Sequence, residues 1–166
     1  MLHKLASILD KKMAFTTASA HCDIPCKIYD PITAQISALT VIRMVDLISE
    51  LDTGEALTLA QQAQLSRLVA EKEKHALQVK EEVRVIWGDY FKQPQFDQIP
   101  NVHELVHNIM LQGSKAKQHI DRDMALGLLD LVNQFAEAFW KTKGVEVYTA
   151  TCPYPPEQTV VYPKLG

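Results

Sequence analysis

Within His21-Cys22-Asp23-Ile24-Pro25-Cys26-Lys27-Ile28-Tyr29-Asp30 the chain gathers two thiols, an imidazole, carboxylates and a phenol, and only one further cysteine, Cys152, occurs in the sequence. Two cysteines separated by three residues can close on one ion if the chain forms a tight hook, and Pro25 directly before Cys26 favours such a bend. The donors are mostly sulfur. Soft thiolates favour zinc, copper(I) or iron–sulfur chemistry, or a nickel ion when strongly donating nitrogen completes a square plane. On spacing alone, a disulfide or half of a zinc site completed elsewhere weighs as much as a redox centre.

A second pattern competes with the first. His103-Glu104-Leu105-Val106-His107 is a literal H-E-x-x-H on a predicted helix, which places two imidazoles on one face to hold zinc with Glu104 as general base, the signature of a zinc metallopeptidase. Against it, Met110 stands where the extended form of the motif needs glycine, and the predicted elements include no sheet to hold a substrate strand. His3 and His119 read as surface residues.

The elements that must position these groups come from one domain. With 166 residues, 47% of them hydrophobic, the chain is long and apolar enough for one real core, and six glycines and eight prolines argue against a fibrous or disordered class. A net charge of −3 gives no basic field for nucleic acid, and no apolar run approaches the ~20 residues of a membrane span. Three cysteines make no disulfide scaffold, and free thiolates suit a reducing, cytoplasmic setting. Residues 1–20 read as a leader. Asp10, Lys11 and Lys12 interrupt its apolar side, so it is a poor secretory segment although Ala18-Ser19-Ala20 is similar to an export cleavage site.

From Asp30 onward helical periodicity dominates. Asp30 and Pro31 open a helix to about Leu51, with rows such as Ile32, Ile36, Leu39, Ile42 and Val41, Val45, Ile48 facing inward. A second helix spans about Leu57 to Trp87 on a rhythm that only Lys72 breaks. Gly88 to Pro100 reads as a loop. Asn101 and Glu104 offer a capping pair for a third helix to about Gln112, Gly113 to Ile120 reads as a loop, and Asp121 caps a fourth helix to about Lys143. The expected architecture is an all-α, antiparallel four-helix bundle over residues 21–143, preceded by the hook. Residues 144–166, rich in Tyr-Pro pairs, read as an extended tail laid over the bundle or a neighbouring subunit, with Cys152 a bystander.

The run His-Cys-x-x-Pro-Cys-x-x-Tyr-Asp-Pro from His21 to Pro31 closely resembles the nickel hook of the nickel-containing superoxide dismutases. Trp87-Gly88-Asp89-Tyr90-Phe91-Lys92, Leu105-Val106 after His103, and Phe139-Trp140 before Lys141-Thr142-Lys143 are similar to that family in the same order, so the resemblance covers roughly residues 21–143. It implies a pro-sequence ending at Ala20, removed by a dedicated maturation peptidase, a homohexamer, and one nickel ion per subunit. A chain beginning at His21 would offer its amine and the amide nitrogen and thiolate of Cys22 as two fused five-membered chelate rings, with Cys26 closing the plane and the His21 imidazole binding axially. Such anionic donors suit Ni(II) and stabilise Ni(III), and the implied activity converts superoxide to oxygen and hydrogen peroxide. The resemblance further implies that Tyr29 and Tyr90 restrict approach to the metal, with Asp23 and Lys92 near the access path. Three positions depart from the family: Ser37 and His75 stand where relatives use Glu and Arg to support the axial imidazole, and Lys27 where Gly is common. A nickel- or copper-binding module without turnover is the competing class.

Overall fold

The computed structural model describes residues 27–166. The leader 1–20, its junction with His21, and the hook residues His21, Cys22, Asp23 and Cys26 lie outside the described residues.

Helix α1, Ile32–Ser49, starts where Asp30 accepts the Ile32 N–H on its carboxylate at 2.8 Å, directly ahead of the turn. It buries Ala34, Ala38, Val41, Ile42, Val45 and Ile48. Ile36, expected inside, is 49% exposed, and Gln35 is buried in its stead. The Gln35 amide donates to Val161 O at 2.8 Å and to Asn133 Oδ1 at 3.0 Å, so the position serves a polar tie across the fold. By length and composition α1 could cross a membrane, but half of that stretch is buried here, and packing against neighbouring helices accounts for its apolarity.

Helix α2, Leu59–Val85, opens on a reciprocal cap. Gln61 N–H donates to Thr58 Oγ1 and Thr58 N–H to Gln61 Oε1. The helix runs on as a π turn, Ile86–Tyr90, and a short helix α3, Gln93–Gln98, follows, so the segment expected to be a loop is largely helical. Helix α4, Val102–Gln118, also overruns its expected end near Gln112. Gly113 was expected to break it. In the fold it is a point of close approach instead, since a Cβ there would meet Lys80 Cγ at 3.0 Å. Asn101 makes no side-chain cap, because its backbone is not in the extended conformation that a capping residue needs. Asp121 does cap α5, Arg122–Thr142, accepting the Met124 N–H at 3.0 Å.

The four long helices close a cycle in which α1 packs on α2 and α5, and α4 on the same two. Val79, Val83, Ile109, Leu128, Phe135 and Phe139 meet in its fully buried centre. Beyond α5 the chain forms an antiparallel hairpin, β1 Val147–Thr151 with β2 Thr159–Pro163, rather than an extended tail. Tyr154-Pro155-Pro156 sits in the connection, where a missing N–H removes no ladder bond, and Pro163 ends β2. Cys152, Val160 and Val161 are buried, and Asn133 of α5 binds both Thr159 O and Val161 N–H to dock the hairpin.

Candidate metal centre and its approach

The described part of the site begins one residue after Cys26. Lys27 has φ of 59°, the left-handed region in which a Cβ costs about 1–2 kcal/mol, so the turn out of the hook is a position suited to glycine that a lysine occupies under strain. The turn leads to Tyr29, whose ring lies 5.8 Å from that of Tyr90, centroid to centroid, with the planes tilted by 47°. Two phenols 61 residues apart in sequence thus meet.

The π turn positions Tyr90. Phe91 N–H reaches back to Ile86 O at 3.3 Å, and the extra residue in that turn re-aims the side chains that follow it. Tyr90 then packs against Phe139 at 4.9 Å and edge-on to Phe91 at 5.4 Å, while the Lys143 ammonium lies 4.3 Å from its ring centroid. Its hydroxyl is 2.8 Å from Thr142 Oγ1. Lys92 is exposed and donates to Gly88 O at 3.0 Å, which keeps a positive charge on the same turn. Asp23, proposed beside it, lies outside the described residues.

Ser37 is buried in α1. His75 is bound to its own helix: Nδ1 is 2.8 Å from Glu71 O, an acceptor only, so that nitrogen carries the proton.

The H-E-x-x-H residues form no zinc site. Trp87 Nε1 donates to His103 Nδ1 at 3.1 Å, the His103 ring packs against Phe96 at 4.5 Å with the planes tilted by 38°, and Trp87 meets it edge-on at 5.7 Å. That bond joins the π turn to α4, and with Nδ1 accepting, the neutral His103 ring carries its proton on Nε2. Glu104 and His107 are exposed, and among the described residues no three His, Cys, Asp or Glu side chains cluster as metal ligands. Cys152 is buried in the hairpin region, its thiol donating to Tyr154 O at 3.3 Å.

The sequence profile of nickel-containing superoxide dismutases matches residues 16–143. The chain is 36% identical to the nickel superoxide dismutase of Streptomyces coelicolor over 127 residues, covering 76% of this chain and 91% of the relative. The chain belongs to the nickel-containing superoxide dismutase family. The Streptomyces seoulensis enzyme of the same name is 35% identical over 125 residues, covering 75% of this chain and 89% of that one. A native nickel superoxide dismutase structure superposes with a TM-score of 0.66 at 35% identity, over 74% of this chain and 99% of the other. A metal-free structure of nickel superoxide dismutase gives 0.62 at 32% identity, over 70% of this chain and 98% of the other. The family match ends at residue 143, so the hairpin is an addition of this chain to the matched region.

Two contributors escaped sequence reading as individual residues. Thr142 and Lys143 are part of a motif shared with the family, but their contact with Tyr90 is set by helical spacing: Phe139, Thr142 and Lys143 stand at i, i+3 and i+4 and share one face. That spacing was visible in the sequence. What it faces was not.

Proposed function

We propose that this chain, trimmed to begin at His21, is an enzyme that dismutates superoxide to oxygen and hydrogen peroxide with one nickel ion per subunit. The observation that carries the reading is the meeting of Tyr29, three residues beyond Cys26, with Tyr90 of the Trp-Gly-Asp-Tyr-Phe-Lys segment, in a chain that belongs to the nickel dismutase family. The donor set fits the metal: two thiolates, an amine, an amide nitrogen and the His21 imidazole would be strong donors to nickel. When bound, nickel supplies the one-electron couple that superoxide can both reduce and reoxidise.

The chain's own residues do the rest. His21, Cys22 and Cys26 would hold the ion. Tyr29 and Tyr90 narrow the approach and order the water from which peroxide takes its protons. Lys92, and Lys27 on the turn beyond the hook, lend a local positive field to a protein of net negative charge, which draws the superoxide anion inward. Asp23 belongs beside that path. Residues 1–20 act as a pro-peptide whose removal by a maturation peptidase frees the His21 amine. The cycle of four long helices is read as an antiparallel four-helix bundle, six copies of which form the homohexamer, in the cytoplasm.

The test uses the chain starting at His21, loaded with nickel, with metal content and superoxide decay measured together. Cys22→Ser and Cys26→Ser are expected to lose both nickel in the thiolate plane and dismutation, while Cys152→Ser keeps both. A Cys26→Ser protein with full nickel content and full activity would contradict the assignment, and nickel bound tightly without turnover would leave a metal-binding module in place of an enzyme.

A further inference from the structure

Tyr90 touches α5 at three points, and one of them decides where its proton goes. On distance alone either oxygen of the 2.8 Å Tyr90–Thr142 contact can be the donor. The neighbouring bond removes the ambiguity. Thr142 Oγ1 lies 2.7 Å from Phe139 O, and a carbonyl only accepts, so the threonine proton points there. In an uninterrupted helix the Lys143 N–H would serve Phe139 O, but at this helix end it bonds to Trp140 O at 3.0 Å. Phe139 O thus keeps Thr142 as its donor, in a residue that is fully buried. The remaining lone pair of Thr142 Oγ1 receives the Tyr90 proton.

We propose that Thr142 is a positioning residue that commits the Tyr90 phenol to act as an acceptor, not a donor, toward the approach beside Tyr29. The proposal rests on the reading of Tyr29 and Tyr90 as the walls of that approach. Superoxide and small anions such as azide accept hydrogen bonds and have none to give. A phenol whose proton is engaged by Thr142 presents them only lone pairs, so Tyr90 narrows the path without retaining an anion in it. Phe139 beneath the ring and Lys143 over it hold the plane in which this direction is fixed. Once the threonine oxygen is removed, the Tyr90 O–H is free to turn and bind an anion at the mouth. A hydrogen bond to a charged partner is strong enough to tighten such binding by about tenfold or more.

Thr142→Val, Thr142→Ala, Thr142→Ser and Tyr90→Phe provide the test, read in two ways. Azide inhibition of superoxide decay is measured on the nickel-loaded chains starting at His21. The tyrosine Fermi doublet, which reports whether a phenol donates or accepts, is measured by ultraviolet resonance Raman on the full 166-residue chains, with the Tyr90 contribution isolated by difference against Tyr90→Phe. Thr142→Val and Thr142→Ala should raise azide sensitivity about tenfold and move the doublet away from its donor pattern, and Thr142→Ser should restore both. An unchanged doublet, or a changed doublet with unchanged azide sensitivity, overturns the proposal. Because the wild-type Tyr90 phenol offers an anion no proton, Tyr90→Phe should keep wild-type azide sensitivity; if the added sensitivity of Thr142→Val persists in the Thr142→Val, Tyr90→Phe double variant, the anion is not held by the Tyr90 O–H, the reading of Tyr90 as a wall of the approach fails, and the proposal with it.

Discussion

Helices α4 and α5 both end with carbonyls that no helical N–H can reach, and they satisfy them in opposite ways. At α4 the ammonium of Lys72, only 1% exposed, comes across from α2 and donates to Ala116 O, Lys117 O and His119 O at 2.9, 2.7 and 2.8 Å. All three of its N–H groups are used. At α5 the chain uses its own Thr142 hydroxyl and the Lys143 N–H, and the Lys143 side chain stays exposed, over Tyr90. A cation fully spent on backbone oxygens can do nothing but hold two helices together. A cation left partly in water beside a phenol can still act on what approaches it. The two ends separate a part of this molecule that is built for stability from the part proposed to line the site.

Lys72→Met is the largest perturbation that should respect this division. It leaves the buried Ala116 carbonyl and the half-buried Lys117 and His119 carbonyls without their donor and should cost about 3 kcal/mol in denaturant unfolding, while superoxide decay per folded, nickel-loaded molecule stays at the wild-type level. Loss of activity at unchanged stability would break the comparison. The pH dependence sharpens it. Burial pushes the Lys72 pKa below its ordinary 10.5, with the charge of Glu73 opposing. Between the folded value and 10.5 the unfolded chain binds more protons, so the contribution of Lys72 to stability grows as pH rises through that window and is smallest below it. Wild type should therefore gain on Lys72→Met across the window.

At the other end the expected effects are kinetic and smaller. Lys92→Glu should slow superoxide decay severalfold at low ionic strength with little change in stability, because Lys92 is exposed and its ammonium donates to Gly88 O at the surface. The deficit should shrink as salt shortens the Debye length to about 10 Å at 0.1 M and below. A deficit that ignores salt would mean that Lys92 acts through the fold of the π turn and not through its charge.

Much of this was legible before any coordinates. Asp30 and Asp121 announced their helices because a carboxylate that accepts a first-turn N–H is a local device, written in adjacent residues. The pairing of Tyr29 with Tyr90 followed from family motifs, not from periodicity. The misread parts share a cause, which is that their reasons sit on another element. Gly113 looks like a helix breaker until Lys80 is seen to lie against it. Lys72 looks like an interruption until the end of α4 arrives beside it. Gln35 looks like a polar neighbour of Ile36 until the hairpin needs a donor at Val161 O. Trp87 and His103, read as a motif tryptophan and half of a zinc pair, are one hydrogen bond. The hairpin was missed because the Tyr-Pro pairs were read as barring regular structure throughout, whereas every proline of this segment but Pro163 lies in its connection.

The proposed nickel site needs the amine of His21. In the uncleaved chain that nitrogen is part of a peptide bond to Ala20 and has no amine lone pair to donate, so one corner of the proposed nickel plane is missing. The direct measurement loads nickel into two proteins, the 166-residue chain with an uncleavable Ala20→Pro junction, checked by mass, and the chain beginning at His21, and follows superoxide decay in both. Rapid decay with the His21-initiated chain and none above background with the uncleaved one is the predicted result; comparable turnover by both would contradict it.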